Sequence, residues 1–227
     1  MKRSTRAVVL LVGDSHAMQW FDAVARYAEA LGASLMLGAH VSFEPMDEWL
    51  PALPLVVSRE VATYDTRLVF LGGRTHATLS RASFDRHFRF WSQLGCTVLI
   101  GDNPFFPQLD PTACLKAHPP GQCTEPTSRA LHGKDLEYYH DLVAQDGEGR
   151  LGNNSTATIN VNDLVCWNNT CKTNIYDLPL YFDGSHFSQL FIHFVAPLWL
   201  QRARRTVCAS RFEAALVLRT NNTAKMG

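Results

Sequence analysis

A short aliphatic run near the start of the chain, followed at once by a glycine and a polar corner, constrains the fold most. Positions 6 to 13 (Arg-Ala-Val-Val-Leu-Leu-Val-Gly) are nearly all aliphatic or β-branched. A run of this length and composition is typical of a parallel strand that helices bury on both faces. Apolar residues then recur at helical spacing from Ala17 to Leu31, and Gly32 is a helix stop. The chain therefore opens as a strand–helix unit of an α/β fold.

The same alternation continues along the chain. Further strands are predicted at 33–39, 67–72, 96–101 and 158–165, and further helices around 84–91, 136–143 and 187–198. This pattern favours a parallel sheet with helices on both faces. We predict an α/β fold, namely a three-layer α/β/α sandwich of flavodoxin-like type with a mainly parallel central sheet. One domain is expected over 1–227, with its core at about 7–205 and an unassigned tail at 206–227 that frays from Asn221. Pro197 is expected to bend or break the last predicted helix.

Composition and the apolar pattern exclude several classes of partner. Of the 227 residues 46% are hydrophobic, and 21 basic side chains balance 21 acidic ones. No basic run with interleaved aromatic residues is present, so nucleic-acid binding is not expected. The longest apolar runs are shorter than the ~18 residues of a membrane span, so no transmembrane segment is expected. The apolar stretch near Met1 runs into the motif at 13–15, so we interpret it as the first strand and expect any export signal or membrane anchor to lie upstream of this chain or to be absent.

Six cysteines point to an oxidising compartment. Cys114 and Cys123 bracket a loop rich in Pro, His and Gly, and Cys166 and Cys171 bracket Trp-Asn-Asn-Thr. Both spacings suit small loops closed by disulfides, which persist outside the cytoplasm. A zinc site is the competing interpretation, although neither pair has the C-x-x-C spacing. Cys96 is expected to be a small buried hydrophobe, and Cys208 either is free or pairs with it.

Residues that fit nucleophilic catalysis lie in two short motifs far apart in the chain. Residues 13–16 are Gly-Asp-Ser-His, and residues 183–186 are Asp-Gly-Ser-His. A serine hydroxyl needs a base to take its proton, and that base needs a carboxylate to orient it. We therefore predict Ser15 as the nucleophile, His186 as general base and then acid, and Asp183 as the group that orients His186. Ser15 falls at the carboxyl end of the first strand, where α/β sheets bind ligands; the competing interpretation is a helix N-cap.

The two motifs resemble those of a known family. Residues 13–20 (Gly-Asp-Ser-His-Ala-Met-Gln-Trp) are similar to the first block of SGNH (GDSL-like) hydrolases. More narrowly, they resemble the SGNH domain fused to membrane acyltransferases that O-acylate bacterial envelope glycans. The segment 102–114 and the cysteine pair that precedes 181–188 match the same subgroup. The resemblance spans about residues 7–200 and implies an SGNH fold, acyl-serine chemistry and a periplasmic or cell-surface location in bacteria.

The resemblance also implies an oxyanion hole, and here the sequence departs from the family. The family offers a glycine in its second block and an asparagine in its third, beside the amide of the serine itself. The third block aligns with residues 71–75 (Leu-Gly-Gly-Arg-Thr), which lack the asparagine. The candidate donors are therefore the backbone amides of Ser15 and Gly73 and the side chains of Arg74 and Asn103.

Several functional hypotheses follow. The resemblance implies transfer of O-acyl groups, in particular O-acetyl, to or from hydroxyls of cell-envelope polysaccharide. The alternatives are a carbohydrate acetylesterase and a catalytically degenerate SGNH module that binds polysaccharide. The expected partners are an acyl donor and a glycan acceptor, with a membrane acyltransferase domain fused or supplied separately, and no cofactor or metal is expected.

Some side chains have two interpretations. His16 lines the acyl pocket or is merely partly buried, and Trp167 stacks on a sugar ring or is an ordinary loop residue. Seven other aromatic residues are expected in the core; they are Trp20, Phe21, Phe84, Phe88, Trp91, Phe191 and Phe194.

Overall fold

A five-stranded parallel sheet forms the centre of the molecule. The computed structural model describes residues 7–39, 61, 63–64, 66–72, 90–106, 108–131, 156–159 and 161–224. In chain order the strands are β1 (Ala7–Gly13), β2 (Ser34–Ala39), β3 (Thr66–Gly72), β4 (Cys96–Ile100), β5 (Thr124–Pro126), β6 (Thr156–Ile159), β7 (Cys166–Trp167), β8 (Thr170–Lys172), β9 (Asn174–Ile175) and β10 (Leu178–Pro179). The helices are α1 (Ser15–Met18), α2 (Phe21–Ala30), α3 (Pro111–Ala117), α4 (Thr127–Ala130), α5 (Gln189–Arg205) and α6 (Val207–Ala224), with 3-10 turns at Pro120–Gln122 and Asn162–Leu164.

The sheet has the strand order β2-β1-β3-β4-β6. All its neighbouring strands run parallel, which confirms the predicted α/β class. Strand β1 lies between β2 and β3, and core residues cover both of its faces, so its aliphatic run is buried throughout. The carboxyl ends of the strands meet at one edge, where Gly13 of β1 lies opposite Gly72 of β3. Ser15 follows directly at that edge.

Alternating side chains of the strands divide the interior into two layers. Val9 and Leu11 face a large cluster that includes residues of α2, α5 and α6, whereas Val8 and Leu10 face a second cluster with Trp91. This division follows from the two-residue period of a strand. In the larger layer Trp20 stacks on Trp199 with ring centroids 5.7 Å apart. The sandwich therefore has core on both sides of its sheet.

One predicted strand is wrong in its position. The strand expected at 158–165 occupies Thr156–Ile159, and the chain then turns through Asn162–Leu164. The reason is the buried Asn162, whose amide donates a 2.8 Å hydrogen bond to the carbonyl of Asp102. Asn162 makes this bond from within the 3-10 turn, and the strand ends before it. The helix expected at 136–143 lies outside the described residues.

The C-terminal part of the chain is more ordered than the sequence indicated. The tail expected from residue 206 forms α6, which remains helical to Ala224, beyond the point at which fraying was expected. Helix α5 also continues without interruption through Pro197. Pro197 and His193, the residue four positions earlier, both lie on the exposed side of the helix. The carbonyl that loses its helical partner can therefore be hydrated there.

Two aromatic residues expected in the core are exposed. Phe21 and Phe194 lie at the surface, at 40% and 67% exposure, whereas Trp20, Trp91 and Phe191 are buried. Helical spacing alone did not show which edge of each apolar stripe faces solvent. Phe84 and Phe88 lie outside the described residues.

The cysteines form three disulfides in the described part of the chain. Cys114–Cys123 and Cys166–Cys171 are the two short bridges that the spacing predicts. The third joins Cys96 to Cys208 across 112 residues, so Cys96 is not the unpaired buried residue expected from sequence. The bridge forms because α6 packs against β4 and brings the two Cα atoms to 5.2 Å. Disulfides of this kind are typical of oxidising compartments.

Candidate active site

Ser15, His186 and Asp183 form a continuous hydrogen-bonded chain, which we call the triad. The hydroxyl of Ser15 lies 2.7 Å from Nε2 of His186. On the other side of the ring, Nδ1 of His186 lies 2.7 Å from Oδ2 of Asp183. When Nδ1 carries the proton, His186 donates to Asp183 and Nε2 accepts from Ser15. This tautomer prepares the imidazole to take the serine proton.

The strand–helix corner after β1 positions Ser15. Gly13 adopts φ +140°, and a Cβ atom there would lie 1.7 Å from the carbonyl oxygen of Gly72. Only glycine fits a corner that tight. Asp14 then caps α1 by accepting a 2.8 Å hydrogen bond from the backbone N–H of His16. As the first residue of the helix, Ser15 has a backbone N–H with no acceptor inside it.

A tight loop before α5 positions the other two members of the triad. One oxygen of Asp183, Oδ1, accepts hydrogen bonds of 2.8 Å from the backbone N–H groups of Ser185 and His186. These bonds hold the carboxylate so that Oδ2 points at the imidazole. Ser188 ends the loop as the N-cap of α5 by accepting from the backbone N–H of Phe191.

The same bonds set the ionisation of Asp183. Partial burial by itself raises the pKa of this carboxyl, but the backbone donors of His186 and Ser185 and the His186 imidazole outweigh it, so the pKa lies below the ordinary Asp value. Asp183 is therefore a carboxylate at neutral pH and faces the imidazole in its charged form.

A pH dependence of stability follows from this lowered pKa. A carboxyl with a lowered folded-state pKa contributes stability above its unfolded pKa of about 3.9, and this is lost as the pH falls through the folded value. We expect wild-type protein to exceed Asp183→Asn in unfolding free energy at pH 7, by less than about 1 kcal/mol because the side chain is partly exposed. The difference should shrink below about pH 4. Urea unfolding at pH 7, 5 and 3 measures it, and a gap that widens in acid would contradict the assignment.

A buried amide pair ties the two halves of the triad together, and sequence analysis gave it no such role. The Oε1 atom of Gln19 accepts hydrogen bonds from the backbone N–H of Phe187 and from Nδ2 of Asn103, at 2.9 and 3.0 Å. Its Nε2 donates to the carbonyl of His16. Asn103 donates its other amide hydrogen to the carbonyl of Ser185. Gln19 and Asn103 therefore link α1 to the loop that carries His186.

This network corrects the expectation for Asn103. Both hydrogens of its amide group are committed to Gln19 and Ser185. The side chain is also 3% exposed. It therefore acts as a link between two loops and offers no donor to an oxyanion. The motif Gly-Asp-Ser-His-Ala-Met-Gln contained Gln19, but only its tertiary partners show what it does.

We expect Gln19→Leu to weaken both the fold and the active site. The substitution leaves the buried N–H groups of Phe187 and Asn103 without their acceptor. Each unpaired donor costs about 1–3 kcal/mol, so the unfolding free energy should fall by about 2–4 kcal/mol. Any hydrolytic activity should fall about tenfold, because a small displacement of His186 is costly. Urea unfolding and esterase rates measure the two effects. The matched control is Gln108→Leu, which removes an exposed bond from Arg129 and should cost under about 0.5 kcal/mol; equal losses would contradict the assignment.

His16 lies behind the triad, where substrate has no direct access. Only 2% of its side chain is exposed, and its Nδ1 lies 2.7 Å from Oδ1 of Asp102. Its ring centroid is 4.6 Å from that of His186. The structure thus favours the buried interpretation of His16 over a place in the wall of an acyl pocket.

The remaining candidates lie elsewhere or cannot be placed. Gly73 and Arg74 fall outside the described residues. Trp167 lies on the β7–β8 hairpin that Cys166–Cys171 closes, with 41% exposure, and the Nζ atom of Lys172 is 5.8 Å from the centre of its ring. No group of three or more His, Cys, Asp or Glu side chains within the described ranges could hold a metal ion.

The combination of this fold and these motifs has a clear counterpart among known proteins. The family model described as "SGNH domain (fused to AT3 domains)" matches residues 2–201. The chain belongs to this family. No curated protein matches the chain at a significant level.

Two solved structures resemble the SGNH domain. One is the periplasmic domain of a lipopolysaccharide acetyltransferase from Salmonella ser. Paratyphi A, with TM-score 0.54 and 12% identity over 89% of this chain and 83% of that one. The other is a protein from Slackia heliotrinireducens assigned as an SGNH hydrolase, with TM-score 0.50 and 13% identity over 88% of this chain and 99% of that one. At such low identity the likeness establishes the fold alone. In the part of the SGNH domain that the structure describes, every helix is too short or too polar to cross a bilayer.

Proposed function

We propose that this SGNH domain transfers O-acyl groups, in particular O-acetyl, to or from hydroxyls of cell-envelope polysaccharide through an acyl-serine intermediate. The observation that carries the proposal is the unbroken chain from Ser15 through His186 to Asp183, with both contacts at 2.7 Å. This geometry supports a serine made nucleophilic by a neighbouring base. It also weighs against the alternative of a degenerate binding module, which has no need of an intact triad.

The proposed reaction has two stages. In the first, His186 takes the hydroxyl proton as Ser15 attacks the acyl carbonyl, and the resulting imidazolium is stabilised by Asp183. The oxyanion accepts hydrogen bonds from the backbone N–H groups of Ser15 and Gly73, and the guanidinium of Arg74 is a further, cationic donor. Collapse of the tetrahedral intermediate expels the alcohol, which receives the proton from His186. In the second stage a glycan hydroxyl or water attacks the acyl-serine by the reverse route.

The exposure of the site supports a polymeric substrate. The side chains of His186 and Asp183 are 29% and 44% exposed, so the triad lies at the surface. A surface site can accept one residue of a long glycan without enclosing the whole chain. We propose that the exposed Trp167 contacts the glycan by stacking, since an aromatic side chain on a cross-linked hairpin loses little entropy on binding.

The partners and compartment belong to the same proposal. The similar Salmonella structure is a periplasmic domain, and the three disulfides favour an oxidising compartment. We therefore propose a periplasmic or cell-surface location in a bacterium. The family description includes fusion to AT3 domains, and a membrane acyltransferase domain, fused or separate, would supply the acyl group.

Carbohydrate acetylesterase activity is the second candidate. The exposure of His186 and Asp183 favours it, because water can reach the acyl-serine from the same side as an acceptor. The two activities differ only in which hydroxyl completes the second stage.

The deciding experiment offers p-nitrophenyl acetate as donor, with and without chemically deacetylated lipopolysaccharide as acceptor. Transfer predicts nitrophenol release together with acetyl esters on the polysaccharide, and hydrolysis predicts nitrophenol and free acetate only. Ser15→Ala protein under the same conditions is the control. Wild-type protein that releases no more nitrophenol than this variant would contradict the catalytic proposal.

A further inference from the structure

A second Asp–His pair lies beside the one in the triad. Asp102 Oδ1 is 2.7 Å from Nδ1 of His16, the same distance and the same ring nitrogen as in the pair of Asp183 with His186. The two imidazole rings are 4.6 Å apart between centroids and inclined at 59°. We call Asp102 and His16 the buried dyad. His16, the residue after Ser15, is thus paired with a carboxylate and packs against the ring of His186.

The buried dyad is held firmly and shielded from water. Its side chains are 8% and 2% exposed, against 44% and 29% for the pair in the triad. The same oxygen of Asp102 that contacts His16 accepts a 2.8 Å hydrogen bond from the backbone N–H of Asn103. The Asp102 carbonyl accepts from Asn162. Charge at this position is therefore both fixed in place and weakly screened.

A carboxylate and an imidazole are costly to remove from water, and their mutual contact offsets that cost only in part. The pair packs against His186, where a charge can act on the reaction.

We propose that the buried dyad stabilises the imidazolium that His186 becomes during acyl transfer, so that Asp102 and His16 are positioning residues for the general base. In this proposal Nδ1 of His16 donates to Asp102, and the Asp102 carboxylate supplies the negative charge. When Ser15 attacks, its proton moves to Nε2 of His186, and the positive charge forms on the ring that packs against His16, the partner of Asp102. The dyad exchanges no proton with the substrate. This inference rests on the proposed acyl-serine function.

Another carboxylate near His186, that of Asp110, can be compared with the buried one of Asp102. Asp183 contacts the ring directly, and Ser15 and His16 approach it from α1. Asp110, the N-cap of α3, is near enough to Asp183 for the two carboxylates to repel each other, but it is fully exposed. Asp110 therefore provides a carboxylate near the same site whose effect solvent and salt can screen.

The test is the pH profile of kcat/KM for p-nitrophenyl acetate with the whole chain, read at the isosbestic wavelength of nitrophenol. On the acid side, activity is lost as His186 becomes protonated before the substrate arrives. Asp102→Asn removes the negative charge that favours the protonated ring. We expect the midpoint of this limb to move to lower pH by about one unit, and the plateau rate to fall about tenfold. Neither change should depend on salt.

Asp110→Asn is the matched control, because asparagine remains a good N-cap. It should move the midpoint by less than about 0.3 unit, and 0.5 M salt should abolish even that. An Asp102→Asn midpoint equal to that of wild type, or a shift that salt removes, would overturn the inference. Wild-type protein no more active than Ser15→Ala would instead end the proposed function itself.

His16→Gln keeps the test decisive should Asp102→Asn fail to fold. Its amide can still donate to Asp102, and the carboxylate charge stays in place. We expect its midpoint to remain at or above the wild-type value, whatever the plateau rate. A lower acid-side midpoint in His16→Gln would overturn the inference. So would an unchanged midpoint in Asp102→Asn.

Discussion

Replacing Ser15 with alanine should reduce ester hydrolysis by at least about 10⁴-fold and leave the fold intact. The change removes the only atom that we propose forms a bond with the acyl group, while the backbone of the corner after β1 is unaltered. In the proposed mechanism His186 and Asp183 cannot compensate, because they act by activating that hydroxyl, which lies 2.7 Å from Nε2 of His186. Circular dichroism and urea unfolding should show a protein as stable as wild type.

The nearby Ser185 provides a stringent control for this result. Its hydroxyl lies 3.5 Å from Nδ1 of His186, the residue that we propose as the general base. It faces the nitrogen that is already engaged by Asp183, and cannot pass its proton to Nε2. We expect Ser185→Ala to lose less than about tenfold in rate. If Ser185→Ala lost activity and Ser15→Ala kept it, the nucleophile would be Ser185 and our assignment to Ser15 would be wrong.

Removing the disulfide between Cys96 and Cys208 should have the largest effect on stability. The bridge closes a loop of 112 residues and fastens α6 to the edge of β4. In the chain-entropy account, a loop of this length constrains the unfolded chain by about 5 kcal/mol. That is a large part of the stability of an ordinary domain. We therefore expect the double variant Cys96→Ala/Cys208→Ala to lose about 3–5 kcal/mol and to unfold at much lower urea.

The short bridge Cys166–Cys171 supplies the comparison. It spans a sequence separation of 5, for which the same account predicts about 2 kcal/mol. Urea unfolding of the two double-alanine variants, both without reductant, measures the difference. Equal losses would show that loop length does not govern the effect, and a full-length chain with free thiols at 96 and 208 would remove its basis.

The parts of the fold that the sequence predicted are those set by local patterns. Continuous aliphatic runs indicate buried parallel strands, and β1, β3 and β4 begin and end within a residue of their predicted bounds. Errors arose where a tertiary contact outweighed the pattern. The strand expected to reach residue 165 stops at Ile159, because the chain turns to let Asn162 bond to Asp102.

The candidate site divides in the same way. Ser15 and the segment with Asp183 and His186 were identifiable because each motif is a few residues long and its residue types fit one chemistry. The partners of Gln19 have no local signal in the sequence, since an amide side chain has no preferred chemistry and these contacts lie 84 and 168 residues away. Asn103 was misjudged for the same reason.

By itself, then, the sequence determined the α/β class, the corner that holds Ser15 and the membership of the triad, because these depend on neighbours within a few positions. Contacts between distant segments required the folded chain: the bridge from Cys96 to Cys208, and the buried dyad of His16 with Asp102. These depend on the strand order β2-β1-β3-β4-β6, which brings the ends of β1 and β4 to one edge although 86 residues separate His16 from Asp102. Strand order results from how the helices cover the sheet, and no local run of residues encodes it.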